Sequence, residues 1–315
     1  MRFLQILKGL ARGRRALLRG ALSSLAVLAG LSFTAGCSYF KGLVFEDRTD
    51  CPTWLRIKAD PALDTGTWPG MPLLVTFDGR DSVYADVQTK DVNDGYVLAL
   101  KKGNVEVVGL SGWYDHSAEV LEDRDALFLV PYGEQCPQAV GAHESMSLPV
   151  ETELYDMPLR MKGLSLLIRF TFTGAAEGYV FKPTVEGGVD GFTFPDLSLH
   201  YGSFRADADY VDYYHRNVRV PRQVDPFGPS GKAGDGGLGL MVVFSICFPG
   251  TSEWRPFYNL EMSGLFEECG YDWDRRILED VEFRFDMADG ALTMLEVQIG
   301  DWTKVIIGEG GTYVI

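Results

Sequence analysis

The sequence predicts a mainly β protein built as two tandem antiparallel β-sandwich domains. Apolar and polar residues alternate with a period of two in several segments, as they do in half-buried strands. Asp289-Gly290 lies between two such segments, and this dipeptide favours a tight hairpin turn. The sequence lacks any stretch of ten residues that keeps the period of an amphipathic helix. Short strands with Gly and Pro between them are typical of β-sandwiches.

Residues 1–36 are expected to form a lipoprotein signal peptide that is removed. They hold six basic and no acidic residues, an apolar run from Ala21 to Phe33, and Ala35-Gly36 directly before Cys37. A basic leader, a short apolar core and small residues before a cut are typical of a secretory signal. The apolar run is shorter than the roughly 20 residues of a membrane-spanning helix. We therefore expect Cys37 to become a lipidated N-terminus, with acyl chains such as palmitate holding it in a bacterial membrane.

Removal of this leader makes the chain strongly acidic. Without the six basic residues of the leader, 23 Lys and Arg remain against 44 Asp and Glu, a net charge of −21. Nucleic-acid binding needs a basic face, so this balance argues against nucleic acid as a partner. It also argues against charge-driven adhesion to an anionic membrane. Residues 37–50 are expected to be a short tether between the lipid and the first strand.

The first β-sandwich domain is predicted over residues 51–155. Strands are predicted at Trp54–Ala59, Val75–Asp78 and Ala126–Tyr132. A hairpin is predicted over Tyr96–Leu110, because Lys101-Lys102-Gly103-Asn104 supplies residues that tolerate the backbone of a tight turn.

The second domain is predicted over residues 156–315, and Glu144–Met161 is the expected join. Its strands are predicted at Leu166–Thr173, Gly178–Val185, Gly237–Phe248, Val281–Met287 and Leu292–Ile299. The first two of these are expected to pair with each other. The alternation slips between Met294 and Leu295, which predicts a β-bulge there.

Tyr201–Asp235 is expected to be a long polar and aromatic insertion, and loops of that length are usually functional or mobile. It carries a cluster of carboxylates and aromatic rings. The cluster consists of Asp207, Asp209, Tyr210, Asp212, Tyr213 and Tyr214. Such groups suit the recognition of a sugar or a cation. A solvated acidic loop is the simpler interpretation, and the sequence leaves both open.

Four cysteines remain besides Cys37. An exported compartment permits disulfides, and two pairings would each close a loop within one half of the chain: Cys51 with Cys136, and Cys247 with Cys269. Free, buried thiols are the alternative, since spacing alone does not fix connectivity. The spacing of Cys and His does not suggest zinc, so we expect no metal and no cofactor.

Catalytic residues are not recognisable as a set. Ser111 lacks the spacing of a nucleophile elbow. The four histidines, His116, His143, His200 and His215, are scattered without metal-ligand spacing and are expected at the surface. We therefore expect a protein that is not an enzyme.

Three segments resemble the fimbrial anchor lipoproteins of the Bacteroides group, the FimB-like proteins associated with fimbrillins. The segment VFEDRTDCP at Val44–Pro52, followed by TWLRIKA, resembles the start of that family. The family's entry into its second domain is similar to Glu151–Phe170, ETELYDMPLRMKGLSLLIRF. Its closing strand is similar to Ile299–Gly311, IGDWTKVIIGEGG.

The resemblance implies two transthyretin-like β-sandwich domains and a place at the base of a fimbrium on the outer membrane. It implies a pilus anchor that joins fimbrial subunits by β-strand exchange and ends their assembly. In that role Trp54–Ala59 would fill the protein's own groove, with Trp54 and Ile57 buried. Trp302–Ile315 would be the donor strand, and an ordinary final hairpin is the alternative for that segment. The alternative is a surface lipoprotein that binds carbohydrate or a host protein through the Tyr201–Asp235 insertion.

Overall fold

The structure is a computed structural model, and it describes residues 52–59, 71–79, 81–87, 89–113, 126–150, 153–174, 179–226, 239–288, 291–305 and 313–314. In these ranges the chain forms twenty strands and two short helices. The prediction of a mainly β protein is confirmed. The described helices are too short and too polar to cross a membrane.

The two helices are α1 (Thr89–Asp94) and α2 (Ser263–Cys269). The strands are β1 (Thr53–Ala59), β2 (Met71–Phe77), β3 (Asp81–Val87), β4 (Tyr96–Leu100), β5 (Gly103–Ser111), β6 (Leu127–Leu129), β7 (Val140–Leu148), β8 (Leu154–Leu159), β9 (Lys162–Gly163), β10 (Ser165–Gly174), β11 (Val180–Thr193), β12 (Leu199–Asp207), β13 (Asp209–Tyr210), β14 (His215–Pro221), β15 (Met241–Cys247), β16 (Trp254–Glu261), β17 (Val281–Ala288), β18 (Ala291–Ile299), β19 (Trp302–Val305) and β20 (Tyr313–Val314).

The strands form four sheets. The first has the order β4-β1-β8, and the second β3-β2-β5-β7-β9. The third has the order β12-β11-β15-β16, with β6 also paired to β11. The fourth is the seven-stranded sheet β13-β14-β10-β17-β18-β19, in which β20 also pairs with β18.

By internal contacts the chain divides into two units of very different size. The small unit comprises the chain up to Trp54 together with Ala99–Lys102 and Leu148–Tyr155, and all other residues form the large unit. In the small unit, the Thr53 hydroxyl donates a hydrogen bond of 3.1 Å to the Val150 carbonyl.

The predicted tandem domains, 51–155 and 156–315, stay a prediction. Two pairings join strands from either side of that boundary: β6 with β11, and β7 with β9. The expected join is largely strand, because β7 continues to Leu148 and β8 begins at Leu154.

The core of the large unit lies between the third and fourth sheets. Phe170 of β10 meets Phe244 of β15 with ring centroids 5.6 Å apart, and Phe172 stacks on Phe181 of β11 at 5.5 Å. Phe285 of β17 meets Phe244 at 4.8 Å. Aromatic pairs in these offset and edge-to-face arrangements add to the free energy gained from burial. The two sheets therefore face each other as a β-sandwich.

The alternation predicted in β10 is confirmed. Leu166, Ile168, Phe170 and Phe172 are all buried, with exposed fractions of 2 % or less. The expected pairing of this strand with Gly178–Val185 is wrong, because β11 lies in the opposite sheet and meets β10 only through side chains. The neighbours of β10 are β14, which is antiparallel to it, and β17, which is parallel.

The predicted hairpin over Tyr96–Leu110 is also wrong. Both strands exist, but β4 joins β1 whereas β5 joins β2 and β7. The first residues of β5 bind the β2–β3 turn instead: the backbone N–H of Asn104 donates to Oδ1 of Asp78 at 2.8 Å. Gly103, with φ of +151°, is required there, because a Cβ would lie 2.6 to 2.8 Å from the side chains of Phe77 and Asp78.

The C-terminal hairpin is confirmed, since β17 and β18 pair antiparallel up to Ala288 and Ala291. Its turn residues lie outside the described ranges. The register shifts between Arg284 and Phe285, opposite Glu296 and Met294, so Leu295 is the extra residue of a bulge. The bulge predicted from the slip in alternation is therefore present.

Candidate functional site

The residues expected to carry membrane attachment cannot be located in the fold. Cys37, the signal peptide, the tether and Cys51 lie outside the described residues. Their predicted roles stay predictions.

The first strand is held firmly in the fold. β1 lies between β4 and β8 in its sheet. Leu55 and Ile57 are completely buried, and Ala59 is 4 % exposed. Trp54, which we expected to be buried, is 42 % exposed, so the buried face of β1 is Thr53, Leu55, Ile57 and Ala59. Thr53 can lie on the buried face because its hydroxyl donates a hydrogen bond to a carbonyl.

An ion pair fixes the exposed face of the same strand. Nε of Arg56 donates to Oδ1 of Asp156 at 2.6 Å, and its Nη2 donates to Oδ2 at 2.8 Å. This two-point contact raises the pKa of Arg56 and lowers the pKa of Asp156. Arg56 is a site where a trypsin-like protease could cut, and here its side chain is engaged.

The C-terminal segment pairs within its own sheet. β19 pairs antiparallel with β18 from Ile299 and Trp302 onward, and β20 pairs with the other end of β18. β17 occupies the opposite side of β18, so β19 and β20 together form this edge of the sheet. The described residues of the expected donor strand, Trp302–Ile315, therefore lie along one side of β18 as edge strands.

Three of the cysteines are free thiols: Cys136, Cys247 and Cys269. The proposed pairing of Cys247 with Cys269 is absent, and each thiol has a local acceptor. Sγ of Cys247 donates to the Thr251 carbonyl at 3.2 Å, and Sγ of Cys269 donates to the Phe266 carbonyl at 3.3 Å. Burial raises the pKa of Cys136 well above its usual range, which makes this thiol unreactive.

The expected insertion Tyr201–Asp235 is not a loop over its first part. Residues 199–221 form β12, β13 and β14, and 227–235 lie outside the described residues. The sequence misled because small or charged residues, such as Ala206 and Arg216, fill some of the buried positions. Phe204 and Ala206 are buried in β12, and Arg216 is 4 % exposed in β14, in phase with Val218.

What remains exposed is a short hairpin at residues 209–217, here called the tyrosine hairpin. Tyr210, Tyr213 and Tyr214 are 57 %, 51 % and 44 % exposed. The rings of Tyr213 and Tyr214 meet edge to face, with centroids 4.9 Å apart. The Asp212 carboxylate accepts backbone hydrogen bonds from Tyr214 and His215 at 2.8 and 2.9 Å, which holds the turn. The hydrogen bond from the His215 ring, together with these backbone bonds, lowers the pKa of Asp212.

Beside this hairpin lies an open groove of about 540 Å³, here called the outer groove. Its polar lining comes from three adjacent strands. The lining includes Arg169, Thr171, Thr173, Val211, His215, Asn217, Glu282 and Arg284. The side-chain amide of Asn217 has no hydrogen-bond partner among the described residues, whereas Arg284 donates to Glu282 at 2.8 Å. Burial tends to raise the pKa of Glu282, but hydrogen bonds from Arg284 and Thr171 outweigh it and lower the pKa.

The described residues do not form a metal site or a recognisable catalytic set. They contain no group of three or more His, Cys, Asp or Glu placed to hold a metal ion. Three of the histidines lie on strands and contact one carboxylate each: His143 with Glu106, His200 with Asp190, and His215 with Asp212. His116 lies outside the described residues.

Comparison with known proteins finds no matching family model and no matching curated protein. Solved structures do match. The fimbrial anchor protein Mfa2 from Porphyromonas gingivalis has a TM-score of 0.53 at 9 % identity, with 81 % of this chain and 99 % of Mfa2 covered. A candidate polysaccharide-binding protein from Bacteroides thetaiotaomicron has a TM-score of 0.55 at 10 % identity, with 83 % and 100 % covered.

A candidate adhesin from Bacteroides ovatus has a TM-score of 0.52 at 12 % identity, with 82 % of this chain and 96 % of that chain covered. At these identities the likeness concerns the fold, and it extends over nearly the whole of each matched protein. The fold of this chain is that of the fimbrial anchor and candidate adhesin proteins of Porphyromonas and Bacteroides, as the resemblance in its sequence predicted.

Proposed function

We propose that this chain is a fimbria-associated surface protein that anchors a strand-exchange fimbria and ends its assembly. The observation that carries the proposal is the position of β1 as the middle strand of its sheet. A sheet that lacks a strand is a polymerisation site, since its unpaired backbone groups accept a strand from another chain. In this protein the first strand fills that place itself, with Leu55 and Ile57 fully buried. A subunit whose own strand closes the groove accepts no donor from below, so growth ends with it.

Lipidation of Cys37 at the outer membrane would complete this role. The basic leader, the apolar run and Ala35-Gly36 before the cysteine support it. Several acyl chains on one residue give lasting attachment, because each buried methylene contributes about 0.8 kcal/mol. A net charge of −15 over the whole chain offers no alternative attachment to an anionic surface.

The fimbrial subunit above would contact the edge strands β19 and β20. β19 and β20 form a sheet edge, and a donor strand drawn from this edge would leave β18 still paired to β17. Loss of an edge strand opens one side of a sheet, whereas loss of a central strand would separate the sheet into two parts. The C-terminal segment is therefore better suited to exchange than β1.

The anchoring role is tested by Cys37→Ala, with Cys269→Ala as the matched control. The thiol of Cys269 is only partly buried, so its loss should disturb neither folding nor attachment. Cys37→Ala should move the protein from the membrane pellet to the soluble fraction and release the fimbriae into the medium. Retention of the variant in the pellet after a high-salt wash would contradict the proposal, because salt screens charge contacts but not acyl insertion.

The strand-exchange role is tested by deleting Tyr313–Ile315, which removes β20. The truncated protein should remain in the membrane pellet while fimbriae detach, since only the contact with the subunit above is weakened. Affinity capture of the anchored protein, with mass spectrometry of co-purifying subunits, measures the same contact. A truncated protein that folds, reaches the membrane and still holds full-length fimbriae would refute the donor role of this segment.

Recognition of carbohydrate or of a host protein is the second candidate function. One observation favours it: the tyrosine hairpin exposes three aromatic rings, and its residues Val211, His215 and Asn217 line the polar outer groove. Exposed aromatic clusters beside convergent polar groups are typical of binding sites.

A further inference from the structure

The inner side of the tyrosine hairpin carries a buried guanidinium next to a small pocket. This inner pocket has a volume of about 70 Å³ and is lined by Phe172, Tyr179, Phe181, Tyr210, Tyr213 and Arg216, together with Val180. It lies where β10 and β11 meet the hairpin. Arg216 is 4 % exposed, and its Cζ lies 3.4 Å from the centroid of the Tyr210 ring.

Only part of this guanidinium is satisfied. Nη1 of Arg216 donates to three backbone carbonyls, those of Asp212, Tyr213 and His215. Nε is buried and has no acceptor. No described residue accepts a hydrogen bond from Nη2. Arg216 also forms no ion pair with any carboxylate in the described part of the chain. A buried cation without an anion is costly, so such a group is a strong candidate for binding one.

The unsatisfied edge has the geometry of a carboxylate receptor. Nε and Nη2 of an arginine point two N–H groups in parallel, and a carboxylate accepts both at once. A pocket of about 70 Å³ has room for such a group but not for a whole sugar ring or peptide. The rest of the ligand would lie outside, against Tyr210 and Tyr213. Since Nε is itself covered, entry requires one of these rings to swing outward, and both are more than half exposed.

The surrounding strands decide which class of ligand fits. A peptide bound by strand addition needs an open backbone edge. At this place β14 is paired on both sides, since Arg216 lies between Tyr210 of β13 and Phe170 of β10. Recognition must therefore come from side chains alone, and the exposed ones at the pocket are the rings of Tyr210 and Tyr213. The faces of tyrosine rings stack on sugar rings.

We propose that the inner pocket binds the carboxylate of an acidic sugar through the Nε–Nη2 edge of Arg216. Tyr210 and Tyr213 stack on the sugar ring. This inference does not depend on the anchoring role, because it concerns a different surface of the fold.

The first test compares acids with their own neutral esters on the unmodified protein. The probes are D-glucuronic acid, D-galacturonic acid and N-acetylneuraminic acid, each against its methyl ester, with binding measured by saturation-transfer NMR and calorimetry. At least one acid should bind, and its ester should bind about 10- to 100-fold more weakly, the range expected for loss of a charge-assisted hydrogen bond. Failure of all three acids to bind overturns the proposal, and so does an ester that binds as tightly as its acid.

The second test assigns the site. Arg216→Gln should weaken binding of the acid to the level of the ester, and Tyr213→Ala should weaken acid and ester alike. Arg205→Gln is the control, because Arg205 is an exposed arginine whose partner is Glu186 on the neighbouring strand. If Arg216→Gln fails to fold, Tyr213→Ala tests the assignment of the site. The side chain of Tyr213 is half exposed, and its removal leaves the contacts of Arg216 with the backbone carbonyls in place. Unchanged binding of the acid by folded Tyr213→Ala would overturn the assignment.

Discussion

Substitution of Ile57 by alanine measures how firmly β1 is held in the fold. Ile57 is completely buried at the centre of β1. The change removes three carbon atoms, which cost about 2.4 kcal/mol in transfer free energy at roughly 0.8 kcal/mol each. The cavity left behind adds a further cost, so the free energy of unfolding should fall by about 3 to 4 kcal/mol in total. Lys58→Ala, on the exposed face of the same strand, should change it by less than about 0.5 kcal/mol.

Urea unfolding followed by tryptophan fluorescence measures this difference, and limited trypsin digestion measures its consequence. Cleavage after Arg56 requires β1 to leave its sheet and the bond to Asp156 to break. Loss of about 3 kcal/mol raises the open population roughly 100-fold, and cleavage should accelerate accordingly. If Ile57→Ala and Lys58→Ala unfold at the same urea concentration and are cut equally fast, β1 is not a packed strand. The argument that this protein closes its own groove would then fail.

Two further predictions concern the large unit. Gly103→Ala should destabilise the protein by about 2 kcal/mol in thermal or urea unfolding, because the new Cβ meets Phe77 and Asp78 at a strained backbone angle. Gly188→Ala, where nothing lies within 4 Å, should have little effect. Burial tends to raise the pKa of Asp207, but hydrogen bonds from Thr184 and Lys182 lower it below the ordinary 3.8. The ionised carboxylate therefore stabilises the fold above about pH 3.8, and this contribution disappears as the pH falls through the lowered pKa. Asp207→Asn should reduce the urea midpoint at pH 7, and its difference from the unmodified protein should shrink toward pH 3. A difference that does not change with pH would contradict the ionic origin.

Strands with large apolar residues at alternate positions were predictable from the sequence, and their partners were not. The alternation in β10 and the bulge at Leu295 are both present, because each depends on local pattern alone. Pairing depends on residues far apart in the chain. Thr171 of β10 donates to Glu282 of β17, which lies 111 residues further on, and no local signal indicates that contact. The predicted β4–β5 hairpin failed for the same reason, since proximity in sequence favoured a partner that the fold does not use.

The candidate site was predictable in its composition but not in its structure. The cluster of tyrosines and aspartates was visible in the sequence, yet three strands occupy the first part of the expected insertion. Arg216 was missed because a charged residue interrupts the apolar phase of β14. Arg216 lies two residues before Val218 and four before Val220, and both valines are buried. This spacing was the available signal that Arg216 points into the core. Trp54 was assigned to the wrong face because a large aromatic outweighed the smaller Thr53, whose hydroxyl has an acceptor that only the fold supplies.

The parallel pairing of β10 with β17 constrains the order in which the chain can fold. β10 ends at Gly174 and its partner begins at Val281, so one side of β10 has no neighbour until the C-terminal region has been synthesised. At roughly 5 to 20 residues per second of synthesis, this delay lasts several seconds. During that time the apolar face of β10 is open to other nascent chains, and contacts that span long sequence separations form slowly. The partly synthesised chain therefore needs a chaperone more than the finished protein does.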